Sequence, residues 1–329
     1  MFFLFKILII IPIILINNIN LSYKISLNND LKRLSLLSKL IYDYDYIHKH
    51  KEKKDLKFNI EKDNYIDITN KRFHIKNNIY FNLKQFITKL NNNDFIKDSD
   101  KYFDLLNIYF PNIQIYGYFY NKKRLHSLIL LNNDNKEIIV VFRGSQYKDE
   151  WCKNLKIFEK EIKFDNLKNT FHNGILNMYT DDNIDNNIIY ILEKLFNYYP
   201  NYRKIFTGHS RGSINSILLS MELFNKLDKK YNYEIFGFGT PPLFNYKLAL
   251  YLHNHPNIII NNIINELDIV TLLPYKYHIG KEIILKDKII INNHKLPYKI
   301  SNKINIKNIP ISIINHDLNI YIKKIFNEN

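Results

Sequence analysis

The chain predicts an α/β fold: a mostly parallel central sheet with helices on both faces. Three observations carry that prediction. From residue 184 onward, helical and extended segments alternate, as in strands joined by crossover helices. Apolar residues make up 46% of the 329, which suits a large core and excludes a disordered chain. The single cysteine, Cys152, excludes a disulfide framework or a cysteine-rich metal site, so packing must hold the core.

Taken in order, Phe2 to Ile16 is an apolar run broken by Lys6 and Pro12. As a helix it would span about 22 Å, short of the ~30 Å hydrocarbon core. With the polar Asn17 and Asn18 behind it, it reads as a secretory signal peptide over residues 1–22. An uncleaved signal anchor is the alternative. Residues 23–112 read as an N-terminal helical extension with a solvated insertion. Leu31, Leu34, Leu37, Leu40 and Ile41 recur at helical spacing, predicting an amphipathic helix over 30–45. The charged run His48 to Lys57 opens a Lys- and Asn-rich insertion to about residue 77. A second helical patch is expected over Phe81 to Leu90.

The remaining residues, 113–329, form the main domain. Ile113–Tyr120, Leu125–Leu131 and Glu137–Phe142 predict strands, the last two joined by the turn Asn132 to Asn135. Helices are expected over 184–198, 213–227 and 243–252, and strands over 202–207, 233–238 and 258–264. Residues 275–310 carry hairpin spacing, and a last helix begins near His316.

Glycine is scarce, eight in the whole chain, yet two glycines flank Ser210 in Gly208-His209-Ser210-Arg211-Gly212. With thirteen serines, chance predicts about 0.008 serines so flanked. The segment falls between a predicted strand and a predicted helix, the context of a nucleophile elbow in α/β hydrolases. There the serine hydroxyl projects from the sheet edge. The serine needs a base, usually a histidine oriented by a carboxylate. In this fold the acid and then the histidine follow the serine along the chain. Glu266 and Asp268 both follow the buried strand 258–264, and spacing does not choose between them. His278, His294 and His316 are the histidines past them.

Six blocks in order make the chain resemble the class 3 (fungal-type) triacylglycerol lipases over roughly residues 113–325. They are Val140 to Ser145 with Trp151, Phe171-His172-Asn173-Gly174, the elbow, and Phe238-Gly239-Thr240-Pro241-Pro242. Asn265-x-x-Asp268-x-Val270 with Leu273-Pro274 follows, and then His316-Asp317-Leu318 with Tyr321. The resemblance implies Ser210 as nucleophile, Asp268 as acid and His316 as base. It also implies Ser145 as an oxyanion-hole residue, with the Arg211 N–H as the second donor. It suggests a lid over Gln146 to Leu155, carrying Trp151. The family often has leucine where Arg211 stands; an exposed cation there would favour anionic head groups.

The expected activity is therefore hydrolysis of acyl esters of lipids at a membrane or lipid-droplet surface, in the secretory pathway, secreted or luminal. The alternatives are a phospholipase of the same fold and a catalytically silent membrane- or partner-binding member. No cofactor or metal is called for. His253-x-His255 lacks nearby carboxylates and reads as a surface turn. The net charge of +15 suits anionic surfaces. Lysine is abundant along the whole chain, however, and forms no nucleic-acid motif, so charge selects no partner.

Overall fold

The computed structural model describes residues 25–42, 81–82, 100–120, 125–145, 159–164, 167–172, 176, 184–227, 229–273, 276–299 and 314–327. The signal segment, the charged insertion and the lid segment with Trp151 lie outside these residues. Helix α1 covers residues 25–42 and α2 Asp100–Tyr109. Later helices are α3 (Ile184–Tyr198), α4 (Arg211–Lys226), α5 (Tyr246–His253) and α6 (Leu318–Phe326).

Among the described residues, nine strands form the main sheet: β1 (Phe81–Asn82), β2 (Gln114–Tyr120), β3 (His126–Asn132), β4 (Glu137–Phe142), β7 (Arg203–His209), β8 (Tyr233–Phe238), β9 (Ile258–Asn265), β10 (Lys281–Leu285) and β11 (Ile289–Asn292), in that spatial order. Strands β5 (Glu159–Phe164) and β6 (Leu167–His172) pair separately as an antiparallel hairpin. The five strands β4, β7, β8, β9 and β10 run parallel, and antiparallel pairs flank them at both edges. One expectation is corrected. Phe81 and Asn82 begin no helix but pair with Ile115 and Gln114 as an edge strand.

The parallel strands are rich in apolar residues because each strand sends alternate side chains to opposite, buried faces. On β4, Ile138, Val140 and Phe142 enter a core shared with α3, α4 and α5. Ile139 and Val141 point the other way, into a second core with α1, α2 and α6. The α1 leucines at helical spacing, Leu31, Leu34, Leu37 and Leu40, are all fully buried there. Helices α1 and α2, read from sequence within an extension, thus pack on the same sheet face as the C-terminal helix.

A buried ion network ties α1 to the amino ends of the parallel strands. Arg33 donates from Nε to Asp30 at 2.9 Å and from a terminal nitrogen to Glu137 at 2.6 Å. Arg203 grips Glu234 with two bonds, at 3.0 and 2.6 Å, and reaches Glu137 at 3.0 Å and Asp30 at 3.1 Å. Burial opposes the Arg33 charge, yet Glu137 and Asp30 outweigh it and hold its pKa above the ordinary value.

Candidate active site

At the carboxyl ends of the parallel strands the chain makes a sharp turn from β7 into α4. Ser210 occupies the turn at φ 57°, ψ −125°, a left-handed backbone that a serine adopts only under constraint. Its N–H is held by Phe238 O at 2.8 Å, and its carbonyl accepts from the Ser213 N–H and hydroxyl at 3.1 and 2.5 Å. The flanking glycines answer to space. A Cβ on Gly208 would lie 2.6 Å from Gly212 C and from Phe142 O. One on Gly212 would overlap Phe142 O as well. Any side chain at either position would therefore push β4 and α4 apart. Ser216 continues the close approach, its hydroxyl reaching Thr207 O and Gly212 O at 3.0 Å each.

Asp268 and His316, 48 residues apart, meet beside this elbow. His316 Nδ1–H donates to Asp268 Oδ2 at 2.6 Å, with both side chains sealed from solvent. The Tyr321 hydroxyl donates to the same oxygen at 2.6 Å, and Val270 N–H donates to Oδ1 at 2.8 Å. Burial, then the neighbouring Asp268, pushes the Tyr321 pKa well above its ordinary value, so it remains a donor. Gly239 connects the two parts. It follows Phe238, whose carbonyl holds Ser210, and a Cβ on it would sit 3.0 Å from His316 Cε1 and 3.1 Å from Asp268 Oδ2.

The other candidates go elsewhere. Glu266 pairs with Lys286 at 2.8 Å and is a third exposed. The two carboxylates do not share a direction because β9 ends at Asn265 and Asp268 caps a 3₁₀ turn over Ile269–Leu272. His278 donates from Nε2 to Thr271 O at 2.6 Å, and burial pushes its pKa down to about 4. His294 bonds Glu282 at 3.0 Å and lines a cavity of about 440 Å³ that none of Ser210, Asp268 and His316 reaches. His253 bonds His294 O at 2.8 Å and accepts from Gly280 N–H at 3.0 Å. His255 packs edge-on against Phe224. Among the described residues no cluster of three His, Cys, Asp or Glu could hold a metal ion.

Ser145 follows β4 and is buried at 9% exposure. The neighbouring Gly144 brings this loop against the elbow, where its Cβ would lie 3.2 Å from Ser210 Cβ. Arg211 corrects an expectation. It is 1% exposed, because the first turn of α4 lies against the sheet, so no free cation stands at the surface there. Two contacts had no counterpart in the sequence reading. His209, the elbow residue before Ser210, bonds the main-chain oxygen of His316 at 2.7 Å, and Tyr42 of α1 bonds His209 at 3.0 Å. The position of His209 inside the elbow was the signal available; Tyr42 carried none.

Residues 139–278 match the class 3 lipase family. That match covers most of the strand before Ser145, the elbow and Asp268, in the order read from the sequence. A lipase of Rhizomucor miehei is 25% identical over 157 residues, 45% of this chain and 40% of its own length. The chain thus spans well under half of that relative. Among solved structures, a lipase from Rhizopus microsporus var. chinensis aligns at TM-score 0.55 and 21% identity, over 65% of this chain and 76% of that one. The triacylglyceride lipase of Rhizomucor miehei aligns at 0.53 and 21%, over 62% and 79%. The fold is that of the α/β-hydrolase lipases.

Proposed function

We propose that the chain is a serine esterase of the lipase type, hydrolysing acyl esters of lipids through an acyl-enzyme on Ser210. The observation that carries the reading is the buried Asp268–His316 pair set beside a strained serine on a strand-to-helix elbow. Because the His316 Nδ1–H donates its hydrogen bond to Asp268, the basic nitrogen is Nε2, the one that can take a nucleophile's proton. In this mechanism His316 takes the Ser210 proton as Oγ attacks the ester carbonyl. The Arg211 N–H and Ser145 receive the developing oxyanion. His316 then protonates the leaving alcohol and activates water to release the acid. None of these steps draws on a metal or cofactor.

The substrate class comes from the relatives, whose names are lipase and triacylglyceride lipase. Esters at a membrane or lipid-droplet surface, reached through the secretory pathway by the signal segment, complete the reading. The N-terminal extension, 23–112, is proposed to belong to the same catalytic unit as 113–329, a reading supported by α1 and α2 within the shared core. A phospholipase loses one of its supports with the burial of Arg211. Gln146 to Leu155 is proposed as the lid, with Trp151 as its apolar contact. Trp151 fluorescence should shift on neutral lipid vesicles, and an unchanged spectrum would remove the lid. Purified protein should hydrolyse a short-chain p-nitrophenyl ester, with turnover lost in Ser210→Ala. A wild-type protein without turnover would point to a silent binding member.

A further inference from the structure

His316 is held at its ring by Asp268, but a ring is aimed only as well as the peptide that carries it. That peptide is anchored from two strand ends. Asn265, closing β9, donates to Asn315 O at 2.8 Å. His209, closing β7, meets His316 O at 2.7 Å. A carbonyl only accepts, so His209 Nε2 carries the proton of that bond. His209 is itself buried, and burial with the nearby His316 holds its pKa well below 6.5, so the ring is neutral and Nδ1 is bare. Tyr42, 3.0 Å from Nδ1, must then be the donor. Every proton in the series has one place: Tyr42 O–H to His209 Nδ1, His209 Nε2–H to His316 O.

The series also touches the oxyanion side. The Tyr42 hydroxyl and the His209 carbonyl occupy the space that a Cβ on Gly144 would need. The His209 and His316 rings lie 4.5 Å apart between centroids, so a displaced His209 would displace its neighbour. One hydroxyl on α1 therefore borders the Gly144–Ser145 loop, the elbow and, through His209, the His316 turn.

We propose that Tyr42 and His209 are positioning residues for this site. Tyr42 fixes the His209 ring, and His209 fixes the main chain from which His316 projects toward Ser210. Neither touches the ester, and the inference rests on the esterase reading above. Misplacement of a reacting group by about 1 Å can cost ~10²-fold in rate. The effect should fall on kcat, since substrate binding is not involved.

The test uses the full-length protein, hydrolysis of p-nitrophenyl butyrate and the rate of fluorophosphonate labelling, with thermal unfolding as the check on folding. His209→Phe should lower kcat and the labelling rate by about 10- to 100-fold with KM within about twofold. His209→Gln, whose amide N–H₂ can replace the Nε2–H donor, should recover kcat to within about fivefold of wild type. Tyr42→Phe should lower kcat by about three- to tenfold, and Tyr42→Phe/His209→Phe should be no worse than His209→Phe, because the two act in series. Losses that multiply, a loss carried by KM, or a folded His209→Gln as slow as the phenylalanine variant would overturn the proposal. If His209→Phe does not fold, Tyr42→Phe and His209→Gln decide by the same criteria. Wild-type protein that neither turns over nor labels would instead overturn the esterase reading, and this inference with it.

Discussion

Asp268 accepts three hydrogen bonds, from His316, Tyr321 and Val270, which leaves its carboxylate little freedom to turn away from the imidazole. Glu266 spends its charge on Lys286 at the surface, a pair of small energetic worth. Asp268→Asn should therefore lower kcat by about 10⁴-fold, by the wrong tautomer at His316, while Glu266→Gln stays within about twofold. Steady-state hydrolysis of a soluble ester decides, and the opposite ranking would move the acid to Glu266. At this scale the sequence was half legible. Order along the chain narrowed the acid to two residues and the base to three. It could not go further, because the direction of Asp268 depends on where β9 stops and on a tyrosine 53 residues later. Of the residues that the family resemblance pointed to, the packing brings Asp268 and His316 into contact. Arg211 misled for a related reason: a charged residue reads as solvated unless the helix face it occupies is known.

Helix α1 illustrates what an element shows and hides. Its apolar stripe was legible from spacing alone, and all of those leucines are buried. Its charged residues were not. Arg33 is 4% exposed and paired with Glu137, a partner 104 residues away that no local pattern announces. Removing one member of a buried network leaves its partners uncompensated, at a cost of about 3–5 kcal/mol. Arg33→Met should lower unfolding stability by about 3 kcal/mol in urea titration, since Arg203 still serves Glu137 and Asp30. A change below about 0.5 kcal/mol would mean that α1 is held by its leucines alone. The same helix carries Tyr42, so loosening it should be felt at His209 as well.

Across the whole molecule, both cores meet at one sheet, and the candidate site lies where β4, β7, β8 and β9 end. Alternating apolar segments made that sheet predictable, because a strand buried on both faces leaves a run of Val, Ile and Phe that few other structures require. The short edge strand β1 escaped prediction, since two residues give no period and Phe81 pairs with a strand more than 30 residues on. The elbow was legible at full length, for Gly208 and Gly212 answer to backbone contacts that admit no other residue. The proposed function comes down to one chemical statement: Ser210 is a nucleophile made reactive by His316. The most direct measurement is covalent labelling of the purified protein by a fluorophosphonate probe, with the modified peptide identified by mass spectrometry. Labelling should fall on Ser210, reach stoichiometry in wild type, and be abolished in His316→Ala but not in His278→Ala. Full labelling of Ser210 in His316→Ala, or labelling at another serine, would contradict it.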